Sequence, residues 1–264
     1  MQLLDGDVAV ITGGSSGIGR GIAKSYADHG AAGVVVADVR ESPKEGGRPT
    51  HELLEAETDT NATYVECDVT DRADLRSAVE AAEAYGGVTV MVNNAGVWRS
   101  EDFLQITPEE FTELIDINLT GASFGAQVAA ERMIDADGGS IINISSIAGL
   151  FGNGSWPTYS ASKGGLTTLT YSLAHALGEH DIRVNAIHPG GIDTAIGEDG
   201  DGEADDTGDE TAAADMEAFR SMVPLGRQGT PSEIGGTATF LASDLANYVT
   251  GESLVVDGGW TSWR

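Results

Sequence analysis

Short apolar runs rich in valine and isoleucine recur along this chain, and longer stretches with helical periodicity separate them. Runs that are apolar at nearly every position are typical of parallel strands buried on both faces. The predicted strands are Val8–Ile11, Gly33–Ala37, Ala62–Glu66, Val88–Val92, Ser140–Ile144, Ile182–Ile187 and Ser253–Val256. The predicted helices cover residues 17–29, 48–58, 71–84, 109–134, 157–178, 211–222 and 231–242. Strands that alternate with helices predict right-handed crossovers and an α/β fold with a doubly wound parallel sheet.

The alternation runs through the whole chain without an internal repeat, a linker or a break in composition. We therefore expect a single domain over residues 1–264. Two helix starts carry a specific signal, because Thr107 and Thr230 each precede a proline. Threonine caps a helix N-terminus, and proline is favoured in the first turn.

Charge and composition limit the partners and the compartment. The chain holds 42 acidic and 14 basic residues, a formal net charge of −28. Such a polyanion repels nucleic acid and anionic membranes, so neither is an expected partner. The composition resembles that of cytoplasmic proteins from salt-in halophilic archaea, where molar salt screens self-repulsion within about 3 Å. The lone Cys67, and the lack of a visible secretory signal or apolar membrane span, predict a cytoplasmic protein.

One segment, Glu198–Glu210, holds eight acidic residues and no basic one. Low-complexity acidic runs are usually solvated, and we expect a mobile loop here. Residues 198–222 are the candidate lid beside an active site. A Ca²⁺ or Mg²⁺ site is the alternative, but the spacing lacks the full calcium-loop pattern. No His/Cys spacing suggests zinc either, so no metal is predicted.

A glycine-rich turn, Thr12–Gly19, reads T-G-G-S-S-G-I-G between the first predicted strand and the first predicted helix. Glycines allow a tight turn and a close backbone approach to a pyrophosphate, whose charge then meets the helix N-terminus. A plain turn would explain the glycines equally well, but their position after the first strand favours a dinucleotide site. The predicted cofactor contacts in this turn are Gly13, Ser15, Ser16, Gly17, Ile18 and Gly19.

Further candidate cofactor residues follow the next strands. Asp38 ends the second strand, where its carboxylate can accept hydrogen bonds from the adenosine ribose and would repel a 2′-phosphate. NAD is therefore predicted over NADP, with the nearby Arg40 keeping NADP as the alternative. Two segments complete this set at the ends of the third and fourth strands: Asp68 and Val69 near the adenine, and Asn94, Ala95 and Gly96 at the topological switch point.

Three side chains fit acid–base chemistry on an alcohol. Tyr159 and Lys163 are four residues apart, so they share one face of a predicted helix. A free phenol titrates near pH ~10, and a neighbouring ammonium favours the phenolate and lowers that pKa. Ser146 stands at the end of the fifth predicted strand and can hold a substrate oxygen. These groups are what hydride transfer between an alcohol and a nicotinamide requires from a protein.

Together these motifs resemble the short-chain dehydrogenase/reductase family over essentially the whole chain. The matching positions are Thr12–Gly19, Asn93–Gly96, Asn118, Ser146, Tyr159, Lys163, Pro189, Gly190 and Thr194. The resemblance implies a Rossmann-type sheet of order 3-2-1-4-5-6-7 and a homotetramer. It also implies that Tyr159 is the acid/base, Lys163 lowers its pKa and binds the nicotinamide ribose, and Ser146 polarises the carbonyl.

Other roles follow from the same resemblance. Asn118 would support a water that links Lys163 to solvent, and Thr194 would hold the nicotinamide carboxamide or a phosphate. The nicotinamide end of the predicted site comprises Tyr159, Lys163, Pro189, Gly190, Ile192 and Thr194. Two features depart from the family. The acidic stretch lengthens its substrate loop, and His188 stands where it commonly has asparagine; we expect His188 to serve packing.

The predicted function is an NAD-dependent oxidoreductase that interconverts a secondary alcohol, such as a sugar, polyol or small alcohol, and its carbonyl. Candidate substrate contacts are Trp98, Phe151, Trp156 and Gly191, with core packing as the alternative for the aromatic residues. A 3-oxoacyl reductase is the runner-up, disfavoured by Asp38 and by the few basic residues available to dock an acyl carrier. Chain length and glycine spacing argue against an epimerase or dehydratase. The intact serine, tyrosine and lysine argue against a non-catalytic nucleotide-binding protein.

Overall fold

The computed structural model describes residues 2–136, 138–194 and 221–262. Its strands form one parallel sheet in the order β3-β2-β1-β4-β5-β6-β7, which confirms the predicted topology. The strands are β1 (Val8–Thr12), β2 (Gly33–Asp38), β3 (Asn61–Glu66), β4 (Val90–Asn93), β5 (Gly139–Ile144), β6 (Ile182–Pro189) and β7 (Ser253–Val256). Predicted and observed strands agree within a few residues.

The helices of the described residues flank this sheet. They are α1 (Gly17–Asp28), α2 (Thr50–Glu57), α3 (Arg72–Ala81), α4 (Pro108–Ile115), α5 (Gly121–Met133), α6 (Pro157–Leu177) and α7 (Pro231–Ala242). The predicted helix 109–134 is divided, because a π-helical turn over Asp116–Thr120 lies between α4 and α5. The acidic segment 198–210, most of the predicted helix 211–222 and most of the candidate lid lie outside the described residues.

The alternation of side chains along the strands divides the core in two. Val8 and Val10 of β1 belong to a cluster shared with α3 and α5. Ala9 and Ile11 belong to a second cluster, shared with α1 and α7. All residues of β1 are buried, because helices cover both faces of the sheet.

Both helix starts that the sequence marks carry their predicted caps. The Thr107 Oγ1 accepts a hydrogen bond from the Glu110 N–H at 3.2 Å, and the Glu110 carboxylate accepts one from the Thr107 N–H at 2.8 Å. In the same way, the Thr230 N–H donates to the Glu233 carboxylate at 2.8 Å. Such reciprocal bonds satisfy N–H groups that lack a partner within the helix.

The strand order reverses between β1 and β4, where crossovers leave in opposite directions. At such a switch point the loops at the carboxyl ends of the strands separate and leave a crevice. The glycine turn after β1 and the Asn94–Gly96 segment after β4 therefore face the same opening. Within the described ranges, no helix is long and apolar enough to cross a membrane.

Candidate functional site

A crevice of about 400 Å³ runs along the carboxyl edge of the sheet. Most of the residues predicted to bind a cofactor or to act chemically line it, although they are spread along the chain from Gly13 to Thr194. From the predicted set, the lining contains Gly13, Ser16, Gly17, Ile18, Asp38, Asp68, Val69, Asn94, Ala95, Gly96, Ser146, Tyr159, Lys163, Pro189, Gly190, Ile192 and Thr194. A volume of this order is typical of small-molecule and cofactor sites.

Some lining residues were not singled out from the sequence. They are Val39, Lys44, Val97, Ile117 and Ile144. Most are direct neighbours of predicted site residues at strand ends, and this adjacency is the signal that could have found them. Cys67 lines the crevice as well, and burial raises the pKa of its thiol to about 12. The thiol is therefore protonated at neutral pH, which does not suit a nucleophile.

The glycine turn is held in shape from the neighbouring strand. The Asn94 side chain donates from Nδ2 to the carbonyls of Thr12 and Gly13, at 2.9 and 3.1 Å. The Thr12 hydroxyl in turn accepts the N–H groups of Asn94 and Ala95. Asn94 thus fixes the turn in addition to lining the crevice.

Close packing explains why this turn needs glycine. Gly13 and Gly17 have positive φ values of 64° and 53°, which favour glycine. A Cβ on Gly19 would collide with the Gly13 carbonyl oxygen and would lie 2.6 Å from Asn94 Nδ2. Gly19 does not line the crevice, so its contribution is to let helix α1 pack against the turn.

We expect Gly19→Ala to destabilise the fold by about 1–3 kcal/mol, because the added methyl group meets backbone that cannot move aside. Chemical denaturation in molar KCl measures the change. The matched control is Gly236→Ala on α7, where a Cβ would meet nothing within 4 Å. This control should be neutral or slightly stabilising, since alanine is the better helix former. Equal effects of the two substitutions would contradict the packing argument.

The N-terminus of α1 already binds an anionic group in this structure. The Gly17 N–H donates to the Glu45 carboxylate at 3.0 Å, and the Lys44 N–H donates to Ser16 Oγ at 2.8 Å. Free N–H groups and the helix dipole favour negative charge at this point. The turn can therefore hold an anionic group, here the Glu45 carboxylate.

Asp38 lies at the other end of the turn. Its carboxylate accepts the N–H of Ser15 at 3.1 Å and that of Arg40 at 3.2 Å. Burial raises the pKa of Asp38, while these hydrogen bonds and the charges of Arg40 and Lys44 act in the opposite direction. Ser15 thus contributes through its backbone and does not line the crevice. The Asp38 carboxylate and the cations of Arg40 and Lys44 therefore lie together at the predicted adenosine end.

Ser146, Tyr159 and Lys163 meet at the opposite end of the crevice. Lys163 is 4 % exposed, and its Nζ donates to the Ile144 carbonyl at 2.8 Å. Its Nζ lies 5.7 Å from the centroid of the Tyr159 ring. The Tyr159 side chain hydrogen-bonds the Ser146 side chain. The end of β5 and the first turns of α6 thus bring all three groups together.

The pKa shift of Tyr159 differs in direction from the prediction. Burial raises the pKa of the Tyr159 phenol, and the hydrogen bond with Ser146 only opposes that change. Burial also lowers the pKa of Lys163 to about 8. The predicted lowering of the Tyr159 pKa by Lys163 is therefore wrong for the ligand-free protein, because desolvation penalises the charged forms of both groups.

Asn118 lies beneath this end of the crevice, fully buried in the π-helical turn. Its side chain accepts the Val97 N–H at 2.8 Å and donates to the Val97 carbonyl at 2.9 Å and to Ser162 Oγ at 3.2 Å. A Cβ on Gly96 would lie 3.2 Å from Asn118 Oδ1 and 3.5 Å from Lys163 Nζ. Asn118 is thus close to Lys163 without lining the crevice itself. π-Helical turns within helices are frequent at functional sites.

The candidate substrate residues do not line the crevice in the described part of the chain. Trp98 and Trp156 are half-buried and pack edge to face, with ring centroids 5.6 Å apart. Phe151 is exposed, and the Gly191 carbonyl accepts the Gly229 N–H at 2.9 Å. Among the described residues, no cluster of three or more His, Cys, Asp or Glu could hold a metal ion.

Comparison with known proteins adds relatives that span the whole chain. A family model described as "Enoyl-(Acyl carrier protein) reductase" matches residues 13–261. L-rhamnose-1-dehydrogenase from Scheffersomyces stipitis is 42% identical, covering 97% of this chain and 96% of the relative. L-rhamnose 1-dehydrogenase (NAD(P)(+)) from Azotobacter vinelandii is 40% identical, covering 98% of each chain.

The crystal structure of a short-chain type dehydrogenase/reductase from Mycobacterium marinum superposes with a TM-score of 0.86 at 35% identity. It covers 98% of this chain and 96% of the solved chain. The sheet order agrees with these matches. This chain belongs to the short-chain dehydrogenase/reductase family.

Proposed function

We propose that this protein is an NAD(P)-dependent oxidoreductase that interconverts a secondary alcohol group of a sugar or similar polyol and the corresponding carbonyl. The observation that carries the proposal is the crevice with two distinct ends. A phosphate-accepting turn and Asp38 form one end, and Ser146, Tyr159 and Lys163 form the other. The names of two relatives, both L-rhamnose dehydrogenases, support a sugar. For an aldose, the product of oxidation at C1 would be the lactone.

Ser146 and Tyr159 perform the proton chemistry in this proposal. Their side chains are already hydrogen-bonded to each other, so a substrate oxygen between them would contact both. In reduction, Tyr159 donates its phenolic proton to the carbonyl oxygen, and Ser146 stabilises the charge that develops there. In oxidation, Tyr159 in its phenolate form takes the hydroxyl proton and becomes the neutral phenol. The nicotinamide cofactor, when bound, accepts or supplies the hydride.

Lys163 completes the proposed acid–base centre. Its ammonium is anchored by the Ile144 carbonyl, lies beside the Tyr159 ring and is close to Gly96. A cation at this point stabilises negative charge on the phenol oxygen during proton transfer. We assign its remaining donors to the nicotinamide ribose, and Pro189, Gly190, Ile192 and Thr194 to the nicotinamide itself.

Cofactor preference follows from the charges at the adenosine end. Asp38→Asn should raise the NADP/NAD ratio of kcat/KM about tenfold or more, because it removes a like charge beside a 2′-phosphate. Arg40→Gln should lower the efficiency with NADP by a similar factor and leave NAD within about threefold. Initial rates with both cofactors measure the ratios. The control is Arg48→Gln, an exposed arginine of the same connection that does not line the crevice. Unchanged ratios in both variants would remove Asp38 and Arg40 from cofactor selection.

The proposed reaction is tested with purified protein in molar KCl. Initial rates are measured for a panel of aldoses including L-rhamnose, polyols and ketones, each with NAD and NADP. Turnover of at least one sugar or polyol is expected. Tight binding of NADH without turnover of any compound would instead identify a non-catalytic nucleotide-binding protein.

An acyl-carrier substrate is the alternative suggested by the description of the matching family model. The chain offers 14 basic residues against 42 acidic ones, so a basic docking patch for an acyl carrier is hard to build. The charge balance therefore favours a small substrate.

We further propose a homotetramer that works in the cytoplasm at molar salt. Apolar side chains stand exposed on α4, α5, α6 and α7 and beside β7, as expected of subunit contacts. They include Phe111, Phe124, Tyr171, Phe240, Leu245 and Tyr248. The extreme acidity supports the salt requirement, and the free thiol of Cys67 supports a reducing compartment.

A further inference from the structure

His188 is fully buried near the end of β6, directly before Pro189. Its Nδ1 lies 2.8 Å from the carbonyl oxygen of Ser146. Because a carbonyl can only accept, Nδ1 must carry the hydrogen, and a neutral imidazole then leaves Nε2 as a bare acceptor. Nε2 has no hydrogen-bond partner among the described residues. A buried imidazole with one nitrogen unpaired is a costly choice for mere packing.

The backbone bonds between β5 and β6 end just before Ser146. Strands β5 and β6 are paired up to Ile144 and Ile187, and the Ser145 N–H still donates to the Ile187 carbonyl at 2.8 Å. Pro189 has no N–H, so the backbone ladder cannot extend beyond this point. The imidazole of His188 supplies a donor just past the last backbone bond, at Ser146.

Ser146 is thereby held from two sides. Its carbonyl is bound by His188, while its Oγ accepts the Ala148 N–H at 3.1 Å and hydrogen-bonds Tyr159. The chain turns at this residue into the short 3₁₀ helix Ile147–Gly149. The Ser146 carbonyl also accepts the Gly149 N–H at 2.9 Å within this turn, so the bond from His188 is the one that ties the turn to β6.

The charge state of His188 suits this role. Burial and the positive charge of Lys163 lower the pKa of its imidazole, and the bond to the Ser146 carbonyl raises it. The net effect is a lowered pKa, so His188 is neutral near pH 7. The Nδ1–H donor does not depend on protonation in that range.

We propose that His188 is a positioning residue for the catalytic serine, and that its Nδ1–H fixes the Ser146 carbonyl and thereby the place of the Ser146 hydroxyl. This inference rests on the proposed function and gives His188 a role beyond the packing expected from the sequence. It acts through Ser146 and does not touch the substrate. Placement matters because a shift of a reacting group by about 1 Å can lower a rate by about 10²-fold.

Two substitutions at His188 distinguish the loss of the hydrogen-bond donor from the loss of side-chain packing. The amide of His188→Asn can keep a donor near the Nδ1 position, whereas His188→Leu has none. We expect kcat to fall about 10- to 100-fold in the leucine variant and to stay within about threefold of wild type in the asparagine variant. The Kd for NADH, from fluorescence titration, should be unchanged in both. Hydrogen exchange of the Ala148 amide should accelerate only in the leucine variant.

Several outcomes would overturn the proposal. One is a wild-type kcat in the leucine variant, and another is an equal loss of kcat in both variants. A third is a leucine variant whose thermal stability falls while its kcat stays at the wild-type value. Should that variant not fold, ¹⁵N NMR of the wild type decides, since the Nδ1–H tautomer is required and the Nε2–H tautomer contradicts it. Wild-type protein without turnover would refute the proposed function. The exchange and tautomer measurements would still test the positioning of Ser146.

Discussion

Replacing Tyr159 with phenylalanine should lower kcat by about 10²- to 10⁴-fold, the usual contribution of general acid–base catalysis. In the proposed reaction the phenol exchanges a proton with the substrate oxygen, which would lie beside both Tyr159 and Ser146. The ring remains in the variant, so the crevice wall and the packing beside Lys163 are kept. The Kd for NADH should therefore change less than about threefold.

The control for this experiment is Tyr171→Phe on the same helix. Tyr171 is exposed, and its hydroxyl hydrogen-bonds Ser253 Oγ at 2.8 Å, away from the crevice lining. This variant loses the same oxygen atom but should keep wild-type kcat. If Tyr159→Phe also retained kcat, another group would carry the proton and the assignment would be lost. A parallel loss in both variants would instead indicate damage to α6.

The sheet and much of the crevice could be predicted because parallel strands place their carboxyl ends along one edge. Gly13, Asp38, Asn94 and Ser146 each follow a recognisable strand, so their meeting in space follows from topology. The turn also required local signals, chiefly glycines between a strand and a helix. Such features are encoded by neighbours in the chain and are therefore visible in the sequence.

Other features depend on contacts between distant residues. The helical pattern continues on both sides of Asp116–Thr120, so the π-helical turn leaves no mark in the periodicity. The bond from His188 to Ser146 joins two strands, and the packing of Trp98 on Trp156 joins two connections. None of these contacts follows from spacing along the chain.

Ionisation is the clearest case of a property that the sequence does not show. The four-residue spacing of Tyr159 and Lys163 correctly brings them together, but the direction of the pKa shifts depends on solvent exclusion. Burial favours the neutral form of both groups, because it raises the pKa of the phenol and lowers the pKa of the ammonium. In the ligand-free site, burial therefore favours the neutral phenol over the phenolate.

Replacing Lys163 with methionine should lower kcat by about 10²- to 10³-fold, because a charge-stabilising donor is removed from the reacting centre. The same substitution should change how stability depends on pH. The pKa of Lys163 is about 8 in the folded protein, against 10.5 for an unperturbed lysine. Between these values the unfolded chain binds more protons than the folded one, so Lys163 makes wild-type stability rise with pH.

The measurable quantity is the difference in free energy of unfolding between wild type and Lys163→Met, from denaturation in molar KCl at several pH values. Below pH 8 Lys163 is charged in both the folded and the unfolded protein, so the cost of burying its ammonium lowers the free energy of unfolding of wild type in full. From pH 8 to about 10, wild type should gain about 2–3 kcal/mol relative to the variant. Loss of the bond to the Ile144 carbonyl changes the free energy of unfolding of the variant by the same amount at every pH. It therefore leaves the pH dependence of the difference unchanged.

The control for the pH effect is Lys24→Met, which removes an exposed lysine on α1. Its stability curve should run parallel to that of wild type across the same range, because an exposed ammonium is solvated equally well in the folded and unfolded states. Cys67, whose pKa burial raises to about 12, makes folded protein less stable at high pH, but it does so in all three proteins and cancels in the differences. Parallel curves for wild type and Lys163→Met would show that Lys163 titrates normally, and the buried, anchored ammonium would no longer explain the acid–base centre.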